Sequence, residues 1–200
     1  MVNRSLPRTP GARPVLTWAV FVVTALTTAA GYLVPGFAQA LARSNAFFHG
    51  EWWRLITPIL VNPEGWHQVV FNGVMLLVAG IAAERTFGRA RWAALYLAGG
   101  LAGNAVGYVT SHYSAGSSVA VAGLAGGLAA WALSGRAGLP VPPRIAAGAL
   151  LTGGAALALL GDNHGAPLLA DALLGTVFVR TMRDVPSLAD VSRRRPARTP

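Results

Sequence analysis

Two hundred residues with 54% hydrophobic side chains, only 12% charged and a mean hydropathy of +0.49 are too apolar for an ordinary soluble domain, which carries about a quarter charged residues. The 16 basic residues, all arginine, exceed 7 acids for a net charge of +9; in so apolar a chain the excess points to membrane topology rather than to nucleic acid as a partner. Cysteine is absent, which excludes disulfides, thiolate chemistry and sulfur-held metals.

A helix needs about 17–25 apolar residues to cross about 30 Å of hydrocarbon, and six stretches are candidates in chain order. Residues 1–14 form a basic tail, and residues 15–33 follow without a charge. A secretory signal is the competing reading of this start, with Ala38-Gln39-Ala40 as a small-residue cleavage pattern, but the apolar stretch is longer than a usual signal core. Pro58, Pro63 and Gly65 then break the chain before a second span, 66–83, and Gly88 separates it from a third, 92–109. Gly99, Gly103 and Gly107 recur every four residues in that third span, so they stack on one face that a neighbouring helix can approach closely; packing inside the bundle is the preferred reading and a dimer surface the other. The fourth span, 117–133, is set off from a fifth, 145–160, by the proline-rich 139–143; the sixth is 164–179, and 181–200 is a second basic tail.

With the N-terminus inside, 14 of the 16 arginines fall in cytoplasmic segments and only Arg43 and Arg54 outside. Removing any one span would break this asymmetry. The expected architecture is therefore all-α: a six-helix bundle over 15–180 in the cell membrane of a bacterium, both tails cytoplasmic, with the arginines at 193–198 attracted to anionic lipid.

Polar residues gather on the outer side. His49, His67, His112 and His164 all fall there, in separate segments without the paired spacing of a zinc site, so no metal is expected. Asn72, Ser118 and Asp171 lie within apolar helices, where such residues must face the protein interior and are functional candidates. Ser118 and His164 begin two spans that run in the same direction, which puts them at similar depth. A serine near an imidazole is the minimum for nucleophilic acyl chemistry, and first-turn N–H groups can face an oxyanion. The plainer readings are an N-cap serine and a solvated histidine.

These stretches together resemble the rhomboid intramembrane serine proteases from about residue 50 to 175. Gly50-Glu51-Trp52-Trp53-Arg54 is similar to the family's Trp-Arg segment in the large first outer loop, and Phe71-Asn72, then Glu84-Arg85-Thr86-Phe87-Gly88 and Tyr96, to the second span and the segments after it. Gly116-Ser117-Ser118, with Gly123, Leu124 and Gly126, resembles the family's nucleophile motif and the packing glycines beyond it; His164 with Gly175 resembles the last span. The resemblance implies a dyad that needs no aspartate, with Ser118 as nucleophile and His164 as base, and an oxyanion site of Asn72 and the Ser118 N–H. It also implies transmembrane protein substrates cut near their outer ends, and no cofactor.

The sequence departs from that pattern where Val119, Pro167 and Asp171 replace glycines between spans four and six, which predicts a wider separation of Ser118 from His164. Gln68 stands where the family usually has an oxyanion-site histidine, with His67 rotated about 100° away. Asp171 lies on the face of His164, but roughly 10 Å deeper, too far to orient the imidazole. Its carboxyl costs about 2.5–3.5 kcal/mol to insert, so it needs to be protonated, hydrogen-bonded towards residues 122–126, or reached by water. An inactive rhomboid-like protein that binds transmembrane partners is the alternative function. A small transporter is the reading from another class, and the chain lacks the inverted repeat of broken helices it would need.

Overall fold

A computed structural model describes residues 13–111 and 113–182; His112 and most of both basic tails lie outside the described residues. Among the described residues there are seven α-helices and no strand: α1 (Val15–Leu33), α2 (Phe37–Leu41), α3 (Trp66–Phe87), α4 (Arg89–Thr110), α5 (Ser118–Leu133), α6 (Val141–Leu159) and α7 (Gly165–Thr181). The all-helical expectation holds, and each apolar stretch has its helix. Hydropathy marks only the apolar part of a helix, so α3 and α4 run further than expected, through Glu84, Arg85, Arg89 and Arg91, and meet at Gly88, whose φ of +80° turns the chain. α6 starts earlier than expected because Pro142 and Pro143 lie in its first turn, where proline is tolerated.

Two of these helices, α1 and α3, are long and apolar enough to cross a membrane. α1 is polar inside and apolar outside: Thr17, Thr24 and Thr28 are its buried residues, while Trp18, Val22 and Leu26 are exposed. A water-soluble helix does the reverse. The N-terminal N–H groups of α1 have no partner within their own helix. Glu84, fully buried near the end of α3, supplies one: its carboxylate accepts from Leu16 N–H at 3.0 Å, Thr17 N–H at 2.8 Å and Thr17 Oγ1 at 2.8 Å.

The loop between α1 and α3 is more ordered than an apolarity scan suggests, with α2 and three 3-10 turns at Asn45–His49, Trp52–Leu55 and Thr57–Leu60. Arg54 is the clamp. It pairs with Glu51 at 2.6 Å and donates to the carbonyls of Gln39 (2.6 Å) and Ala42 (2.7 Å). α4 holds the loop from the other side, through Asn104 Nδ2 to Leu55 O (3.0 Å) and Tyr108 OH to Arg54 O (3.1 Å).

α5 is the central helix, with α3, α4, α6 and α7 packed around it. Its contact with α7 is close, contrary to the expectation drawn from Val119 and Pro167. Val119 turns towards α4 rather than α7, its Cβ lying 2.5 Å from where a methyl on Gly103 would stand. The approach of α5 to α7 is made lower down, where Gly126 lies against the Leu168 carbonyl and Gly175 against Gly127; a methyl on Gly175 would fall 2.7 Å from the Gly127 Cα. The three glycines of α4 that recur every four residues thus face within the bundle: Gly99 meets Gly123, Gly103 meets Val119 and Gly107 cradles the Arg43 guanidinium.

Candidate active site

Ser118 opens α5, and His164 immediately precedes α7. The close α5–α7 contact brings His164 Nε2 to 2.8 Å from Ser118 Oγ. On the other side of the ring, Nδ1 lies 2.8 Å from Asp162 Oδ1, which also accepts from the His164 backbone N–H at 2.8 Å. Partial burial pushes the Asp162 carboxyl up, but hydrogen bonds from His164 and the nearness of its ring outweigh that and hold the carboxyl below its usual range.

Two cavities meet at the pair. An open one of about 490 Å³ is lined by Glu64, His67, Gln68, Phe71, Asn72, Ser118 and His164. A smaller polar one of about 90 Å³ lies beyond Ser118 and His164, reached by Arg43, Glu64, Gln68, Asn104 and Asn163, with room for several waters. Arg43 is buried and donates to Ser111 O (2.9 Å from Nη2) and Asn104 Oδ1 (3.2 Å from Nη1). Burial pushes its guanidinium down, against the pull of Tyr108 and Glu64.

Gly116 leaves a gap beside Ser118. A methyl there would stand 2.9 Å from Gln68 Nε2, 3.5 Å from Asn72 Nδ2 and 3.6 Å from Ser118 Oγ, so two amide nitrogens and the hydroxyl converge on space that only glycine leaves open. Both amides already have partners. Asn72 Nδ2 donates to Asn62 Oδ1 at 2.7 Å, and Gln68 Nε2 to Ala115 O at 2.9 Å and Glu64 Oε2 at 3.3 Å. Asn62 Oδ1 also accepts from Ser117 N–H at 3.1 Å, so one buried asparagine ties the start of α5 to α3.

The family model of the rhomboid domain matches residues 49–181, two-thirds of the chain. The chain belongs to the rhomboid family. Rhomboid protease GluP of Bacillus subtilis is 42% identical over 97 residues, covering 48% of this chain and 19% of that protein. Putative rhomboid protease YdcA of the same organism is 41% identical over 81 residues, 39% of this chain and 40% of its own length. The matching segments therefore span well under half of either relative.

Of the residues singled out from sequence, Ser118, His164, Asn72 and Gln68 come together. Trp53, Arg54 and Glu84 lie apart from them; Trp53 Nε1 reaches Ala40 O at 3.4 Å in the loop between α1 and α3, and Arg85 is exposed on the last turn of α3. Asp171 is fully buried between Gly99 and Gly123 and makes no hydrogen bond among the described residues, so of the alternatives for its carboxyl the hydrogen bond towards residues 122–126 is not formed, and a glycine face stands there. Asp162 was not foreseen as a partner of His164. The available signal was its position two residues before His164, since an aspartate commonly accepts from the backbone N–H two residues on.

Proposed function

We propose that this rhomboid is an intramembrane serine endopeptidase that cuts transmembrane segments of other membrane proteins near their outer ends. The bundle 15–180 crosses the cell membrane six times with both basic tails in the cytoplasm. The observation that carries the reading is the 2.8 Å contact of Ser118 Oγ with His164 Nε2. Ser118 attacks the substrate carbonyl as His164 takes its proton, and the imidazolium then protonates the leaving amine. The oxyanion forms in the gap at Gly116, where the Ser118 N–H and Asn72 stabilise it; an oxyanion-hole donor is worth about 10²–10³ in rate. Water from the polar cavity then attacks the acyl carbonyl as His164 takes its proton, and the Ser118 Oγ–acyl bond breaks with that proton returning to Ser118, which frees the new carboxyl end.

The second reading, a rhomboid that binds transmembrane partners without cutting them, is favoured by the amides of Asn72 and Gln68 already being engaged. Cleavage of a reporter transmembrane segment in proteoliposomes, with fluorophosphonate labelling, separates the two. Wild type is expected to cleave and label, and Ser118→Ala and His164→Ala to do neither. A wild type that retains the reporter but neither labels nor cleaves overturns the protease reading in favour of the second.

A further inference from the structure

Five residues, 160–164, separate α6 from α7, and the turn is held from several directions. Gly161 takes a φ of +76°, Asp162 N–H donates to Leu157 O at 2.9 Å, and Gly165 lies against Gly154 O and the Ala158 backbone, where a side chain has no room. The Asn163 carbonyl packs against Gly103 of α4, 3.1 Å from where a methyl there would stand. Asp162 thus sits on a fixed frame, and a single oxygen of it, Oδ1, binds both the backbone N–H and the ring of His164.

An ionised carboxylate only accepts hydrogen bonds. Nδ1 of His164 must therefore carry hydrogen, which leaves the Nε2 lone pair of the neutral ring to meet the Ser118 hydroxyl. A cap on the start of α7 needs only the bond to the backbone N–H; the second bond, to the ring, selects a tautomer. We infer that Asp162 is a positioning residue for His164, holding the imidazole Nδ1-protonated and aimed at Ser118. The inference rests on the serine-protease reading for its catalytic consequence and on the turn geometry for the tautomer. In the reaction the Ser118 proton passes to Nε2 and then to the leaving amine; the Nδ1 proton stays on the ring and Asp162 stays ionised throughout.

Asp162→Asn keeps an oxygen for both hydrogen bonds and removes the charge, whereas Asp162→Ala removes everything. Reporter cleavage is expected to lose about tenfold in kcat for the first and about 10²-fold for the second, with KM unchanged, a loss in keeping with general-base chemistry. A carboxyl held below its usual range contributes fully at neutral pH and loses its effect only as pH falls through that lowered range. The gap between wild type and Asp162→Asn therefore narrows only in acid. Glu64, His67 and Arg43 line the same cavities, so the profiles are compared between variants rather than read alone. Nitrogen-15 NMR of His164 in bicelles reads the tautomer directly: Nδ1–H in wild type, lost in Asp162→Ala. Wild-type kcat in Asp162→Asn together with an unchanged tautomer in Asp162→Ala reduces Asp162 to a helix cap and overturns the inference. If wild type neither cleaves nor labels, the protease reading fails, and the NMR result alone decides the tautomer.

Discussion

Between α5 and α7 the backbones touch, glycine against carbonyl and glycine against glycine. Between α1 and α3 they approach only towards one end, where Glu84 caps α1 and Gly80 lies against Thr17. Towards the other end an apolar groove of about 340 Å³ opens, lined by Phe21, Thr24, Val70, Gly73 and Leu77. The first contact has no soft atoms to give way, so it fixes the distance between Ser118 and His164; the second has side chains and space that can. Lipid supplies no hydrophobic force to press helices together, so small residues decide which pairs come close. This chain spends its glycines where the position of a hydroxyl matters.

Gly126→Ala should break the first contact most severely. Its methyl meets the Leu168 carbonyl with nothing flexible between them, and overpacking of this kind costs about 1–3 kcal/mol. A shift of about 1 Å in the pair it supports costs on the order of 10²-fold in rate, so reporter cleavage should be nearly lost and the melting temperature in detergent should fall. Glu84→Ala tests the other contact. It strips partners from buried N–H groups at the start of α1, for about 1–3 kcal/mol of stability, but it should leave kcat within a few-fold in the molecules that remain folded. The smallest effect belongs to Gly73→Ala, whose methyl would meet Phe21 at an ordinary 3.4 Å; both melting temperature and cleavage should stay near wild type. A Gly73→Ala variant as damaged as Gly126→Ala would erase the contrast between the two contacts.

The same contrast explains what was readable in advance. The apolar helices were legible because each is set by its own composition and bounded by local breakers such as Gly88 and the prolines at 140, 142 and 143. Ser118 and His164 were legible as polar residues at the heads of parallel spans. The closeness of α5 to α7 was not, because a valine at 119 says nothing about which neighbour it faces, and Gly103 on another helix is what accommodates it. Asp171 drew attention as a carboxylate on the face of His164, yet the carboxylate that reaches the ring is in the turn, where helical periodicity has no say. Asn62 shows the same limit. It reads as one more polar residue outside the spans, but it is buried and joins Asn72 to Ser117.

The cap that Glu84 places on α1 also carries a schedule. Thr17 and Glu84 are 67 residues apart, and a ribosome adding about 5–20 residues per second makes the carboxylate roughly 3–13 s after the groups it will bind. Through that interval α1 must stay in the bilayer on its own apolar surface, with its first N–H groups still bonded to water at the membrane boundary. Arrival of α3 then exchanges that water for Glu84, so α1 is locked in place only once the helix that caps it has been made.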